Sequence, residues 1–414
     1  MESPYTTSQI FVNMAIKTSS LQKLFTMRVP SCFGGGVHRD EEALPPRTPS
    51  QRSNAFSIRR RSPLSPPQPA WRPGDAYTNT KTLQHGSEAK SYVAQSATTG
   101  RVYVVKRFSN YNVYNDEAAP QPGEQPLPNE AFVLLKALRP HPNILHAFGC
   151  DLFGERRANF YTAYCSGGDL TEQMAHFLKI KVVPPETFVL HVFISIVHAL
   201  SYVHNGLRWD PKTKSYSKDP GFEAPIVHAD TKLENCFLSW DDDAVRRGLP
   251  NVVLGDWGFA QPAHTFRGIA GTPGYQAPEI AAVYKLQETD REASNRALTT
   301  TGYMTPAADV FALGQTIHKL CTGREHVVGA DPMTFPILVT ERGLIGVRLG
   351  GRRGYETSTL QEVLQWCLLK NPVMRPKTDE GGLLYAVTVF QDALKELEGR
   401  SQRIPNYMWA SPPS

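Results

Sequence analysis

Residues 228–235 read His-Ala-Asp-Thr-Lys-Leu-Glu-Asn, and this stretch decides how the whole chain is interpreted. Polar and charged groups fill most of its eight positions, while the residues on either side are apolar. A polar surface loop is the simplest alternative for any single short motif. The order and spacing of further motifs along the chain therefore decide whether 228–235 belongs to a functional site.

The composition is that of an ordinary globular protein. The chain has 414 residues, of which 41% are hydrophobic and 20% are charged, enough for one large or two medium domains. Six cysteines are scattered without C-x-x-C spacing, which predicts free thiols in a reducing compartment. Histidines and serines interrupt the longest apolar stretch, 188–203, so we predict a buried core helix there and no membrane contact.

The positive charge of the chain lies in its first 75 residues. They hold ten Lys/Arg against five Asp/Glu, whereas the remaining chain has 34 of each and gives no reason to expect a nucleic-acid partner. Eight prolines fall between Pro45 and Pro73 with few apolar residues, so residues 1–76 are predicted to be a disordered tail. A mitochondrial transit peptide is a weaker alternative than an untargeted tail, because arginine is scarce near the start.

The tail contains candidate phosphorylation sites. Ser or Thr precedes Pro three times, at Thr48-Pro49, Ser62-Pro63 and Ser65-Pro66, and three arginines directly precede Ser62. Basic and proline-directed kinases favour such sequences, and phosphate there would reduce the local positive charge. Upstream kinases acting on a regulatory tail are thus predicted partners, and an inert spacer is the alternative.

Strand patterns come first along the remaining chain, and helical patterns follow. Residues 101–107 and 159–164 are rich in β-branched and aromatic residues and are predicted strands. Residues 130–138 have helical apolar spacing, and helical periods dominate after residue 187. This order predicts an α+β fold with two lobes, a small antiparallel β-rich lobe followed by a larger helical one.

The motif at 228–235 resembles the catalytic loop of protein kinases, which usually reads His-Arg-Asp-Leu-Lys-Pro-Glu-Asn in enzymes that phosphorylate serine or threonine. Five of the eight positions match. The resemblance implies that Asp230 accepts the proton of the substrate hydroxyl and that Lys232 steadies the transferred phosphoryl group. It also implies that Asn235 holds a magnesium ion.

Further motifs of this family occur in the family's order. Lys106 ends the predicted strand VYVVK and resembles the lysine that pairs with the ATP phosphates, and Glu130 on the next helix would hold it. Asp256-Trp257-Gly258 stands where kinases usually have Asp-Phe-Gly, and its carboxylate would bind Mg²⁺. The resemblance further implies that the nucleotide is contacted by a set drawn from both lobes: Leu83, Gly86, Val104, Lys106, Ala163, Cys165, Asp169 and Phe237.

The segment Gly271–Glu279 (GTPGYQAPE) resembles the end of a kinase activation segment. In that reading Thr272 contacts Asp230 and Lys232, and Glu279 forms a buried ion pair with Arg375. Asp309 would anchor the backbone of the catalytic loop. The resemblance covers about 77–398, with a first lobe at about 77–163, a second at about 164–398, and a short C-terminal tail at 399–414.

The chain also departs from the family in its nucleotide loop, at Ala229 and in three long stretches that are predicted surface insertions, at 110–128, 207–225 and 284–304. Two of the three glycines of the nucleotide loop are replaced, by Gln84 and Ala89, which predicts a stiffer loop. Ala229 replaces the arginine that commonly binds an activation-loop phosphate. We therefore predict a non-RD kinase whose activity does not need phosphorylation of that loop, at Thr265 for example.

The resemblance implies a serine/threonine protein kinase that uses ATP and Mg²⁺, acts on protein substrates and resides in the cytoplasm, the nucleus or both. A pseudokinase scaffold or allosteric partner is the alternative that the altered glycine loop supports. A small-molecule or lipid kinase of related fold is a further alternative, which the complete Ala-Pro-Glu region disfavours.

Overall fold

The structure is a computed structural model that describes residues 76–85, 89–111, 125–154, 156–263, 270–290, 304–324, 360, 363–400 and 403–413. Residues 71–414 form one compact unit, which contains every element named below. The predicted disordered tail, except for Ala76, lies outside the described residues. Gly86 and Thr265 lie outside them as well.

An antiparallel five-stranded sheet forms the first lobe, in the order β1-β2-β3-β5-β4. The two predicted strands are present, each shifted by one residue. The strands are β1 (Tyr77–His85), β2 (Ala89–Ser96), β3 (Val102–Phe108), β4 (Ala147–Leu152) and β5 (Ala158–Ala163).

Side-chain alternation along β3 sets the two faces of this sheet. Tyr103 and Val105 are buried and pack with Ala94 and Tyr161 in a small separate cluster. Lys106, one position further along, belongs to the opposite face. The predicted helix at 130–138 consists of α1 (Asn129–Phe132) and a π-helical turn (Val133–Ala137).

The second lobe is mainly helical. Its helices are α2 (Leu170–Lys179), α3 (Glu186–Asn205), α4 (Asp242–Arg247), α5 (Pro278–Thr289), α6 (Pro306–Thr322) and α7 (Leu383–Arg400), with a helical turn at 363–367. Short 3₁₀ turns lie at Leu233–Asn235, Pro372–Met374 and Asn406–Met408. Helix α5 continues into the stretch 284–304 that the sequence suggested as a surface insertion.

Short strands also belong to the second lobe. A three-stranded sheet has the order β11-β10-β6, and two further strand pairs are β7-β8 and β9-β12. These strands are β6 (Gly168–Asp169), β7 (Leu207–Asp210), β8 (Ser215–Lys218), β9 (Ile226–Val227), β10 (Cys236–Ser239), β11 (Asn251–Leu254) and β12 (Gln261–Pro262). The β7-β8 hairpin lies in the predicted insertion after α3.

Helix α3 forms the centre of the second lobe. By length and composition it could cross a membrane, the only such helix among the described residues, but 89% of its most apolar window is buried inside the protein. Phe193 at its middle packs against Phe390 of α7, with ring centroids 5.3 Å apart. The helix ends at Gly206, whose φ of 71° is the left-handed conformation that glycine adopts readily. The predicted core helix is therefore confirmed.

The C-terminal segment, residues 403–413, packs on the second lobe. Trp409 is 3% exposed, and its ring lies 5.2 Å from Phe188 and 5.4 Å from Trp240 between centroids. Gln173 of α2 donates to the Met408 carbonyl at 2.8 Å and accepts from the Ala410 amide at 2.9 Å. The hydrophobic core therefore extends well beyond residue 398, where the second lobe was predicted to end.

Candidate active site

Asp309, near the start of α6, holds the backbone that precedes Asp230. Its carboxylate accepts from the amides of His228 at 2.7 Å and Ala229 at 2.8 Å, and His204 lies 2.9 Å from the same group. Ala229 has a φ of 69°, an unfavourable conformation for a residue with a Cβ. Two amide bonds to one buried carboxylate keep this strained turn in place. The anchoring predicted for Asp309 is thus present.

Four donated hydrogen bonds converge on the Asp230 carboxylate. Thr272 supplies two of them, from its amide at 2.9 Å and its hydroxyl at 2.8 Å. The Lys232 ammonium lies 2.8 Å away and the Asn235 amide nitrogen 3.1 Å away. This carboxylate is only 3% exposed. The side chain is therefore held in one orientation, with a cation beside it.

Gly271 explains how Thr272 reaches Asp230. Its φ is 95°, and a Cβ on it would lie 2.7 Å from the Ala229 carbonyl oxygen. Only glycine fits this close approach without movement of the backbone. Lys232 also donates to the Thr272 hydroxyl at 2.7 Å, so the predicted contacts of Thr272 with Asp230 and Lys232 are both present.

Lys106 links the first lobe to the metal loop, which we define as residues 256–260. Its ammonium lies 2.7 Å from Glu130 of α1 and 3.0 Å from Asp256. Burial by itself lowers the pKa of Lys106, but the two carboxylates outweigh burial and raise it above its ordinary value. Burial favours the neutral form of Asp256, yet Lys106 holds the pKa of that carboxyl below its usual range. The Lys106 ammonium therefore bridges the carboxyl groups of Glu130 and Asp256.

Trp257, in the middle of the metal loop, is fully buried. Its ring lies 4.5 Å from that of His228, and its indole N–H donates to the Leu254 carbonyl at 3.2 Å. Its backbone amide donates to Glu130 at 3.4 Å. The indole ring, which is larger than the phenylalanine ring usual at this position, is thus accommodated in the core with its N–H hydrogen-bonded.

The donor set of the metal loop and catalytic loop suits Mg²⁺. Asp256 offers a partly exposed carboxylate, and the side-chain nitrogen of Asn235 is used by Asp230, which leaves the amide oxygen for a cation. The amide of Gly255 donates to the Asn235 carbonyl at 2.9 Å and joins the two loops. Among the described residues no three His, Cys, Asp or Glu side chains form a metal cluster. Few protein ligands are typical of Mg²⁺ that shares its coordination with phosphates.

The predicted nucleotide residues of the first lobe that the structure describes before β5 lie on β1 and β3, on either side of β2. Leu83 lies on β1 and is 39% exposed, while Val104 lies on β3, half-buried, opposite Val93 of β2 and Thr162 of β5. Lys106 follows Val104 on the same face. The structure therefore brings Val104 and Lys106 together, whereas Gly86 lies outside the described residues.

The other predicted nucleotide residues follow β5. Ala163 ends that strand, and the Cys165 carbonyl accepts from the Gly168 amide at 3.3 Å. Asp169 caps α2, since one of its oxygens accepts from the first-turn amides of that helix at 2.8 and 2.9 Å. Phe237 of β10 pairs with Asp169, and its ring lies 2.7 Å from where a Cβ on Gly255 would be. Asp169 and Phe237 are therefore neighbours beside the metal loop.

Glu279 and Arg375 form the predicted ion pair. The guanidinium makes two parallel bonds to the carboxylate, at 2.7 and 2.6 Å. It also donates to the backbone carbonyls of Leu369, Lys370 and Ala307. A buried arginine with this many acceptors is fully satisfied, so the pair acts as a structural tie below the catalytic loop.

Asn129 was not identified from the sequence. Its side-chain nitrogen donates to the carbonyls of Gly258 at 2.7 Å and Ala260 at 3.0 Å. The residue is 9% exposed. Its position immediately before Glu130 is the only signal in the sequence, and an asparagine at the start of a helix is usually explained as a capping residue.

The protein kinase domain family matches residues 77–381 of this chain. Among curated proteins, the chain is similar to the G2-specific protein kinase nim-1 of Neurospora crassa, at 27% identity over 73% of this chain and 32% of that protein. The G2-specific protein kinase nimA of Emericella nidulans is 27% identical over 60% of this chain and 33% of that protein. The serine/threonine-protein kinase Nek1 of Mus musculus is 26% identical over 60% of this chain and 16% of its own length. The chain thus spans about a third or less of these relatives.

Proposed function

Because this chain belongs to the protein kinase family, we propose that it transfers the γ-phosphate of ATP to serine and threonine hydroxyls of protein substrates. One observation carries the proposal. Asp230, Lys232 and Thr272 form one hydrogen-bonded cluster, and Lys106 is bonded to both Glu130 and Asp256. This arrangement of charged side chains supports phosphoryl transfer as the reaction.

Asp230 would orient the substrate hydroxyl and accept its proton. The four donors around its carboxylate leave it in a fixed orientation, which favours an attacking oxygen held in line with the phosphate. Lys232 adjoins Asp230 and would neutralise charge that develops on the transferred group. Thr272 holds both residues at this spacing.

Lys106 would bind the α- and β-phosphates, with Glu130 keeping its ammonium in place. Asp256 and Asn235 would hold Mg²⁺, which neutralises phosphate charge when it is bound. The adenosine would lie among Leu83, Val104, Phe237 and the backbone of Ala163 and Cys165, with Asp169 at the ribose. A half-buried Val104 beside Lys106 and the contact of Phe237 with Gly255 support this arrangement.

Serine and threonine are the proposed acceptors for three reasons. Lys232 follows Asp230 by two residues, and Gly271–Glu279 matches the activation segment of kinases of that class. Similar proteins also carry serine/threonine-protein kinase in their names. Cytoplasmic or nuclear residence, and upstream kinases that act on the tail, are parts of the same proposal.

Activity without activation-loop phosphorylation is the finer part of the proposal. Ala229 offers no charge for a phosphate, and Asp309 together with Thr272 already fixes the catalytic loop. The site is therefore assembled by bonds that need no modification. This supports a non-RD enzyme that is active once it has folded.

Transfer of radiolabelled phosphate from Mg-ATP to a mixed Ser/Thr/Tyr peptide library tests the proposal. We expect label on Ser and Thr peptides, and a loss of at least about 1,000-fold in Asp230→Asn, because the catalytic base is removed while the shape is kept. If the protein is folded but transfers no phosphate, the proposal that it is a kinase is contradicted. If its melting temperature is also unchanged by Mg-ATP, the pseudokinase scaffold becomes the better description.

A further inference from the structure

We propose that Asn129 is a positioning residue that fixes the metal loop to helix α1 and so keeps Asp256 in the geometry needed for transfer. The inference rests on the proposed function and adds a residue to it. It comes from the two bonds that Asn129 donates to the carbonyls of Gly258 and Ala260, at 2.7 and 3.0 Å. Both carbonyls belong to the metal loop, Gly258 at its middle and Ala260 at its last position.

Two consecutive residues of α1 therefore bind one loop. Glu130 accepts from the Trp257 amide at 3.4 Å and binds Lys106, while Asn129 binds the next part of the same loop. The distance between α1 and residues 257–260 is thus fixed at three points. If the loop moved away from α1, Asp256 would move away from Lys106.

The metal loop needs such restraint. Asp256 has a φ of 57°, in the left-handed region that residues with a Cβ seldom adopt. Such a conformation persists only where surrounding contacts enforce it. The side-chain oxygen of Asn129 is buried without a hydrogen bond in the described part of the chain, so the side chain's hydrogen bonds there are the two that its nitrogen donates.

Asn129→Asp tests the inference, because it keeps the shape and replaces the donor with an oxygen that faces two carbonyls. Asn129→Leu, which has a similar shape and no polar atom, is the second variant. Gln173 supplies the matched control. It is 1% exposed and also binds two backbone groups through a carboxamide, but those groups are Met408 and Ala410 of the C-terminal segment. Gln173→Glu and Gln173→Leu therefore remove carboxamide hydrogen bonds of the same kind at a site away from the metal loop.

Two measurements are made on the full chain. The first is the rate of phosphate transfer as a function of Mg²⁺ concentration. In both Asn129 variants we expect kcat to fall about tenfold or more and the Mg²⁺ needed for half-maximal rate to rise, with the KM for peptide substrate unchanged. In the Gln173 variants thermal stability falls, but the Mg²⁺ dependence stays that of the wild type.

The second measurement is hydrogen exchange at residues 256–260, which does not depend on activity. We expect faster exchange there in the Asn129 variants and not in the Gln173 variants. Unchanged exchange in a folded Asn129 variant overturns the inference, and so does faster exchange with wild-type kinetics. If the wild type transfers no phosphate, the proposed function fails, while exchange still decides whether Asn129 holds the loop.

Discussion

Thr272 illustrates how much one hydroxyl contributes to this site, since it donates to Asp230 and accepts from Lys232. We expect Thr272→Val, which has the same shape, to lower kcat by about 10- to 150-fold, because a hydrogen bond to a charged group is worth about 1.5–3 kcal/mol. Peptide phosphorylation under saturating ATP measures the effect. Thr388→Val makes the same substitution on α7, where the hydroxyl donates only to the Leu384 carbonyl of its own helix, and serves as control. Equal rates for Thr272→Val and wild type would contradict the role given to Thr272.

Single residues differ in how well their sequence context reveals them. Lys106, Glu130 and Asp230 could be found because their motifs occur in a fixed order, and the Lys106–Glu130 contact is present at 2.7 Å. Asn129 could not, since its partners are backbone carbonyls about 130 positions away, and backbone atoms leave no trace in residue identity. Contacts between side chains of known motifs were therefore predictable, whereas hydrogen bonds from a side chain to a distant backbone were not.

The activation segment is the element to which the proposed independence from phosphorylation belongs. Thr265 lies outside the described residues, but the segment's end is fixed through Thr272 and Gly271. Because Ala229 cannot pair with a phosphate, we expect Thr265→Ala to keep wild-type kcat and KM in the peptide assay. Phosphatase treatment of the wild type is the companion measurement. Loss of activity in a folded Thr265→Ala protein would show that a phosphate partner exists elsewhere.

Elements were predicted with uneven success for a physical reason. Strands β3 and β5 have strong β-branched and aromatic patterns, so their positions were found to within one residue. The π-helical turn at Val133–Ala137 follows a normal helical period and could not be distinguished from α-helix by apolar spacing. The hairpin β7-β8 lies in a polar insertion, where turn residues and lysines conceal the pairing.

The C-terminal segment contributes Trp409 to the hydrophobic core of the described residues. Trp409 fills a site between Phe188 and Trp240, so Trp409→Ala should lower the free energy of unfolding by about 3 kcal/mol. Urea denaturation measures this change. Tyr407→Ala, at a side chain that is 67% exposed, should change it by less than about 0.5 kcal/mol. Equal stability of the two variants would mean that the segment is dispensable for the fold.

Buried histidines make the stability of the whole molecule depend on pH. Burial lowers the pKa of His191 and of His198 to about 4, and that of His141 to about 3, from an ordinary 6.5. Below pH 6.5 the unfolded chain binds protons that the native protein does not, so the free energy of unfolding should fall steadily from about pH 6.5 to about pH 4. Above about pH 7.5 these histidines are neutral in both the native and the unfolded protein, so they contribute no pH dependence.

His191→Gln tests this origin of the pH dependence. Glutamine can still donate to the Pro250 carbonyl, which lies 2.9 Å from the histidine ring nitrogen, but it does not titrate. We expect a shallower decline in the free energy of unfolding between pH 6.5 and pH 4, measured by urea denaturation at several pH values. A decline as steep as that of the wild type would assign the effect to other groups.

The tie between Glu279 and Arg375 has a consequence for how this chain can change in length. The two residues are 96 positions apart, and their bond closes the intervening chain into a loop whose ends are fixed in the core. For a flexible loop, each doubling of length costs only about 0.6 kcal/mol of closure entropy. Lengthening the chain between Glu279 and Arg375 should therefore add little to the cost of forming this pair, and the spacing of Lys106, Glu130 and Asp256 should stay unchanged.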